Sequence, residues 1–140
     1  MEKVKESPFQ FGNINIISID FDCKRMLDKG DHEISINREV KLFEIDNDIE
    51  NNKFENRVVL TLEISTEDKE AMVSASIQGD FKIEGVENAR AKVLFQQNAP
   101  ALLLSYLRPI LSVILQKSYF PVDIPFLDFT EPIEKKGLRA

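Results

Sequence analysis

The sequence predicts an α+β fold, in which a four-stranded antiparallel sheet carries a short helix and one long, kinked helix packed on it. Three observations favour this fold class. Up to about residue 83, apolar and polar residues alternate, which is the period of a β-strand. After Gly85 the period becomes helical, and residues 99–115 are apolar on almost every side of a helix.

Four segments have the alternation and the β-branched and aromatic content of strands: residues 14–22, 32–45, 57–65 and 71–83. The connections between them are short and polar, and residues 46–53, rich in Asp and Asn, are typical of a hairpin loop. Successive strands with short connections predict an antiparallel sheet. Because one face of each strand is apolar, we expect the sheet to be covered on one side only.

The alternation also predicts which side chains share a face. We expect Ile17, Ile19 and Phe21 on one face of the first strand, and Ile14 and Ile16 on the other. In the remaining strands the predicted apolar sets are Ile34, Ile36, Val40 and Leu42 together with Arg38, then Val58, Leu60, Leu62 and Ile64, then Val73, Ala75 and Ile77. Gly79 predicts a bulge or bend in the last strand, after which Phe81 and Ile83 resume the pattern.

Two separate helices follow the strands. Residues 86–97 read as a short amphipathic helix with Ala89, Val93 and Leu94 as its apolar stripe. Asn98 is a good N-cap for the next helix, whose first turn contains Pro100, where a missing N–H costs nothing. Pro109 lies in the helix interior, so it removes the hydrogen bond to the carbonyl of residue 105 and is expected to kink the helix.

The long helix has more apolar surface than one sheet can cover. Its polar residues Ser105, Arg108, Ser112 and Gln116 are spaced to form one narrow stripe. Such a helix is buried on two sides: against its own sheet, and against another subunit, a bilayer or a bound polypeptide. We expect no membrane span, because residues 99–115 are fewer than the roughly 20 that a span needs and Arg108 lies near their middle.

Length and composition predict a single domain over residues 1–140, with residues 1–12 and 130–140 as flexible ends. Eighteen basic and 24 acidic residues give a net charge of −6 without a basic patch, so no nucleic-acid partner is expected. A single cysteine, Cys23, and a single histidine, His32, cannot form a zinc site of the usual kind. We therefore expect no metal, no cofactor, no enzymatic activity and, since the N-terminus lacks an apolar signal core, a cytoplasmic location.

The helical block carries a specific motif. Its residues Pro100, Leu103, Tyr106 and Arg108 form a Pro-x-x-Leu-x-x-Tyr-x-Arg pattern, followed by the exit Tyr119-Phe120-Pro121 and by an apolar string with Pro125 over residues 124–129. This pattern resembles the SecB-type protein-export chaperones. It departs from them at Ser105, Pro109 and Ser118, where that family usually has a proline, an acidic residue and a glycine.

The resemblance implies a homotetramer built as a dimer of dimers, with the long helices sandwiched between sheets. It also implies an ATP-independent holdase that binds unfolded or nascent polypeptides in apolar grooves, for protein export or, in related proteins, for a toxin–antitoxin pair. The tail after Phe129 is short and has no Cys or His, which argues against docking to the translocase motor. The alternative is a non-chaperone interaction module, cystatin-like in outline, that binds one dedicated partner or a small apolar ligand.

The candidate residues for binding non-native polypeptide clients or for subunit contact come from the helical block and from exposed aromatics. The helix contributes residues that would face a neighbouring subunit or line a groove, with Arg108 as a charge that pairs with an acidic group across a subunit boundary. Aromatic residues near the first strand would hold apolar client segments. The complete set is Phe11, Phe21, Leu103, Tyr106, Leu107, Arg108, Leu111, Tyr119, Phe120 and Phe129.

Overall fold

Four long strands and one continuous helical run make up the part of the chain that the computed structural model describes, which is residues 9–24 and 33–118 with Ile124, Leu127 and Phe129. In chain order the elements are β1 (Phe9–Cys23), β2 (Ile34–Asp48), β3 (Lys53–Thr66), β4 (Ala71–Glu84), α1 (Asn88–Val93), a π-helical turn (Leu94–Asn98) and α2 (Ala99–Gln116). The predicted fold class is confirmed.

The strands form one antiparallel sheet in the order β1-β4-β3-β2, so that β1 and β2 are its edges. β2 and β3 extend further than the composition indicated, because the connection between them is a tight turn over residues 49–52 and not an eight-residue loop. The carboxylate of Asp48 accepts hydrogen bonds from the backbone N–H of Asn51 at 3.3 Å and from its side-chain amide at 2.7 Å. Asn52 supplies the left-handed backbone conformation (φ 52°) that ends the turn.

One face of the sheet forms the core. On β3 and β4 the cross-strand pairs Leu60–Ile77, Leu62–Ala75 and Ile64–Val73 are all buried, and the residues between them are polar or partly exposed. The apolar alternation predicted for these two strands is confirmed. On β2 the register also places Arg38 opposite Leu62 on this covered face, as predicted.

The predicted faces of β1 are right only in part. Ile19 and Phe21 share a face, as predicted, because they pair with Ala75 and Val73 of β4, but Ile17 does not lie with them. Ile14 and Ile19 pack against the core, whereas Ile17 is 52% exposed. The pairing with β4 shifts register between Gly12 and Asn15 and again between Ile16 and Ser18, with Asn13 at φ 52°. Each shift reverses the face that the following residues present, so simple alternation fails along this edge strand.

Gly79 serves close packing, and the bulge predicted at this point lies in the partner strand: Asn13 and Ile14 of β1 fall opposite Gly79, between the pairs Gly12–Asp80 and Asn15–Gln78. Gly79 pairs in regular register with Val58 of β3. A β-carbon at this position would lie 3.0 Å from Cε2 of Phe81, 3.2 Å from Cδ2 of Leu103 and 3.3 Å from Cγ1 of Ile14. The absence of a side chain therefore lets α2 sit directly on β4.

The two predicted helices are joined. Asn98 has helical angles (φ −75°, ψ −41°) and makes no side-chain capping bond, so the predicted N-cap is wrong. The N–H of Ala99 donates to the carbonyl of Leu94, five residues back, which defines the π-helical turn. This turn inserts one extra residue between the two helices.

The extra residue explains why the predicted stripe of α1 is right for Leu94 but wrong for Ala89 and Val93. An uninterrupted α-helix that buries Leu103 would also turn Gln96, Lys92 and Ala89 towards the core by its period. With one residue inserted, the buried positions move to Ala91, Leu94 and Phe95, and Ala89 and Val93 become exposed. Two large apolar side chains, Leu94 and Phe95, thereby reach the core.

The joined helical run Asn88–Gln116 has 29 residues and a mean hydropathy of 1.4 in its most apolar window, which is long and apolar enough to cross a membrane by those measures. The argument from length against a membrane span therefore does not hold. Burial of Leu103, Leu107 and Leu111 against the chain's own sheet supports a core helix instead. α2 continues through Pro109, and the kink expected there stays a prediction.

Candidate functional site

α2 presents three different sides, of which the first is core. Leu103, Leu107, Leu111 and Leu115 are fully buried under the helix, in one cluster with the covered face of the sheet. The expectation that Leu107 or Leu111 faces a neighbouring subunit is thereby corrected. They lie on the helix stripe that packs on β3 and β4, and Leu103 does the same.

The second side of α2 is apolar and exposed. It consists of Tyr106, Pro109, Ile110 and Val113, and we call it the exposed helix face. Val113 is 64% exposed, and Tyr106 and Ile110 are exposed by 44% and 40%. The spacing of three and four residues puts them on one side of the helix. This is the second apolar side that the sequence predicted, although the residues that form it differ from the predicted leucines.

The third side of α2 carries the polar stripe and faces the chain that follows the helix. The guanidinium of Arg108 donates from Nε and Nη2 to the carbonyl of Ile124, at 3.2 and 3.0 Å. The structure thus places Arg108 on a main-chain carbonyl of its own chain, and pairing across a subunit boundary is not needed to explain it. Arg108, Ser105, Pro109, Ser112 and Ile124 line an open cleft of about 380 Å³.

A second cleft of about 590 Å³ continues along the same side of α2. Its walls are mostly apolar, with two side-chain amides and one hydroxyl. The lining residues are Phe9, Gln97, Asn98, Ala101, Leu102, Ser105, Leu127 and Phe129. Since both clefts include Ser105, they follow each other from Asn98 to Ser112, a length of about 21 Å at 1.5 Å per helical residue. We call the two together the α2 groove.

Phe129 forms part of the groove wall, and its ring also contacts Arg38 of the sheet. Its ring is buried, and the guanidinium carbon of Arg38 on β2 lies 4.7 Å from the ring centroid. Such a cation–π contact is worth about 0.5–1 kcal/mol or more when it is shielded from water. Arg38 and Arg108 therefore position two residues of the outer wall, Phe129 and Ile124.

Two predicted residues that are far apart in the sequence meet at the edge of the helix layer. The rings of Phe11 on β1 and Tyr106 on α2 make an edge-to-face contact with centroids 6.3 Å apart. Phe81 supports Phe11 at 6.2 Å and also stacks on Phe9 at 5.4 Å. Phe11 and Tyr106 remain partly exposed, so this aromatic cluster connects the groove side of the sheet with the exposed helix face.

Phe21 lies elsewhere. It is 38% exposed and pairs with Val73, towards the opposite end of β1 from Phe11. Tyr119 and Phe120 lie outside the described residues. Residues 1–12 were expected to be a flexible end, but the last four of them, Phe9 to Gly12, belong to β1 and pair with β4.

The sequence did not single out the outer half of β2. Leu42, Phe43, Ile45 and Ile49 are all exposed there, on an edge strand and its turn. Phe43 and Ile45 were missed because they fall on the side of the strand read as polar, and Ile49 because it falls in the loop-like segment. Leu42 was predicted on the covered face, but it is 39% exposed. The useful signal was the run of large apolar residues among the acidic ones in residues 42–50. An edge strand with exposed apolar side chains is open to pairing with another chain.

The charged pair with the clearest electrostatic effect is on the polar face of the sheet, away from the groove. Arg57 donates from Nε and Nη2 to the carboxylate of Asp80 at 2.8 and 3.3 Å, and the amide of Asn13 adds a bond of 3.3 Å. These donors lower the pKa of Asp80 below its ordinary value. Across the described part of the chain, no three His, Cys, Asp or Glu side chains group as a metal ion would require.

A sheet covered on one side by a long helix, with an open groove beside that helix, is the α+β arrangement expected of a SecB-like protein. The family model described as preprotein translocase subunit SecB matches residues 9–135. The chain therefore belongs to the SecB family, and this membership supports a chaperone role. Proteins of this family are soluble chaperones without enzymatic activity.

Solved structures with this fold include a SecB-like chaperone from Mycobacterium tuberculosis in complex with a ChAD peptide from an antitoxin. It has 12% identity and a TM-score of 0.58, over 85% of this chain and 90% of the other. A protein of unknown function from Streptococcus agalactiae has 15% identity and a TM-score of 0.56, over 86% and 94% of the two chains. A search of curated proteins finds no match.

Proposed function

We propose that this protein is an ATP-independent holdase that binds non-native polypeptide segments in the α2 groove. The observation that carries the proposal is the groove itself, which is about 21 Å long and open. Its larger cleft is mostly apolar, and its smaller cleft combines Pro109 and Ile124 with Ser105, Arg108 and Ser112. An extended chain rises about 3.3 Å per residue, so the groove has room for roughly six residues. Binding of this kind needs no nucleotide and no covalent step.

The complex of the M. tuberculosis SecB-like chaperone with an antitoxin peptide supports this proposal, because there a chain of the same fold binds a peptide. The same complex favours a second candidate function, in which the protein serves one dedicated partner and not many clients. A pull-down from cells under mild crosslinking separates the two. Many nascent precursors indicate a general or export chaperone, and one recurring protein indicates a dedicated one.

The holdase activity is tested by diluting a chemically denatured protein into buffer and following light scattering. We expect suppression at a stoichiometric excess of this protein. Failure of the wild-type protein to suppress scattering would refute the holdase proposal.

A groove variant with a matched control identifies the site. Ala101→Arg places a long cation in the groove, and Ala89→Arg makes the same change at an exposed helix position outside it. Both should keep stability within about 0.5 kcal/mol of wild type. We expect Ala101→Arg to lose most of the suppression and Ala89→Arg to retain it. Equal suppression by both variants would place the binding site elsewhere.

We further propose a cytoplasmic homotetramer, built as a dimer of dimers, in which the exposed helix face is a subunit contact. Burying a large aliphatic side chain is worth roughly 1.5–3 kcal/mol, so a face with Tyr106, Ile110 and Val113 gains substantially from being covered. Native mass spectrometry at micromolar concentration measures the assembly. A strict monomer would contradict this part of the proposal.

A further inference from the structure

The two side-chain amides of the α2 groove lie together at one end of it. Gln97 and Asn98 line the larger cleft next to Ala101 and Leu102. Gln97 is half-buried and Asn98 is exposed. Among the residues that the structure describes, neither amide hydrogen-bonds to another part of the chain. Among the described residues of this cleft, the others are apolar except for Ser105, whose hydroxyl donates to the carbonyl of Leu102 at 2.5 Å.

The π-helical turn explains why this end of the groove is polar. The N–H of Ala99 donates its hydrogen bond to the carbonyl of Leu94, and Pro100 has no N–H. The carbonyl of Phe95 is thus left without either of the N–H groups that an α-helix or a π-helix would supply. The same turn buries the Phe95 side chain and leaves Gln96 exposed, so that Gln97 and Asn98 are the amides that remain on the groove side.

We propose that Gln97 and Asn98 hold the main chain of the bound segment, while the apolar walls take one of its large side chains. This inference rests on the proposed function and names the class of ligand. A carboxamide carries both donor and acceptor groups, which matches the N–H and C=O of an extended backbone. In a helix or a paired strand the backbone N–H and C=O groups are already hydrogen-bonded to each other, so they are not available to the two amides.

The amides therefore favour an extended, unpaired backbone over a helix or a paired strand. The cleft of about 590 Å³ that they adjoin has Leu102, Leu127 and Phe129 in its walls, which suits an aromatic or branched aliphatic side chain. The ligand is an extended segment with at least one such residue. A folded surface or a helix that presents the same side chain lacks these backbone hydrogen bonds and should bind more weakly.

The test uses fluorescence anisotropy with a fluorescein-labelled synthetic peptide of about ten residues, longer than the roughly six that the groove spans. The peptide contains a single phenylalanine among leucine, serine and lysine. The variants are Gln97→Ala and Asn98→Ala, with Gln96→Ala as the control, because Gln96 is the same residue type in the same turn but does not line the cleft. Circular dichroism and urea denaturation verify that all three fold as the wild type does.

We expect Gln97→Ala and Asn98→Ala each to raise the Kd of the peptide roughly 2- to 12-fold, the range for one hydrogen bond. Gln96→Ala should leave it unchanged. A second series uses peptides with one backbone N-methyl group near the phenylalanine. N-methylation should weaken binding to wild type and to Gln96→Ala, and have a smaller effect on Gln97→Ala or Asn98→Ala, because the bond it blocks is already lost there.

The outcomes separate the two proposals. If the wild-type protein neither suppresses aggregation nor binds the peptide, the proposed function fails and the inference fails with it. If wild type binds but Gln97→Ala and Asn98→Ala behave like Gln96→Ala, only the inference is overturned, and the groove then binds through side chains alone. Equal loss on N-methylation in all variants would also overturn it.

Discussion

Substituting alanine for Gly79 should lower the free energy of unfolding by about 1–2 kcal/mol. The new methyl group would lie 3.0 Å from the ring of Phe81 and 3.2 Å from Leu103, both fully buried, so neither can move into free space. Overpacking of this kind costs about 1–3 kcal/mol. Alanine also removes some unfolded-state entropy, which returns about 0.4–1 kcal/mol and leaves a net loss.

Urea denaturation followed by circular dichroism measures this loss, and two other glycines serve as references. An alanine β-carbon at Gly12 would meet no atom within 4 Å, and the backbone there is not left-handed. Gly12→Ala should therefore be neutral or slightly stabilising. Gly85 has equally free space but a φ of +79°, so Gly85→Ala should cost about 1–2 kcal/mol through backbone strain.

The comparison identifies the cause of any destabilisation. If Gly79→Ala is as stable as Gly12→Ala, then α2 does not pack directly on β4 at this point, and the description of the helix–sheet contact is wrong.

Two further predictions concern the helix and the polar face of the sheet. Leu107→Asp changes a fully buried site and should lower the free energy of unfolding by at least about 2–5 kcal/mol, enough to unfold the chain. Val113→Asp should leave the free energy of unfolding in urea within about 0.5 kcal/mol of wild type and reduce the oligomer mass in native mass spectrometry. An intact oligomer with Val113→Asp would exclude the exposed helix face from the assembly. Because Arg57 keeps the pKa of Asp80 below 3.8 in the folded state, the stabilisation by this pair is complete above about pH 5 and is lost as the pH falls through the lowered pKa. Asp80→Asn should lower the free energy of unfolding by about 0.2–1 kcal/mol at pH 7, and by nothing at a pH low enough to protonate the Asp80 carboxylate of the wild type. An equal loss of stability at neutral and at acidic pH would show that the charge of Asp80 is not responsible for it.

The sequence predicts much of the fold because the relevant signals are local. The alternation over β3 and β4 predicts which residues are buried, since both strands are central, with partners on both sides and no irregularity between them. β1 has a partner on one side only, and there the two register shifts make Ile17 exposed and Ile14 half-buried. A bulge is set by pairing with β4 and leaves little trace in the β1 sequence.

The candidate site is less predictable than the fold. The motif identifies α2 as important, but its buried leucines and its exposed residues have the same apolar character, so the period cannot tell which side meets the sheet. Tyr106 is exposed and Leu107, its neighbour, is fully buried. The groove depends on Ile124 and Phe129 returning to α2, and contacts over such sequence distances are not encoded in any local pattern.

By itself, the sequence determined the fold class, the covered face of the sheet, the excess apolar surface of the long helix and the resemblance to SecB. Only the tertiary structure decided how α2 is rotated on the sheet, and hence that Leu107 is core and Val113 is surface. It also decided that the two helices join through a π-helical turn, so that Gln97 and Asn98 border the groove. The physical reason is that side-chain period reports direction relative to the local backbone, whereas rotation and register are set by packing between distant segments.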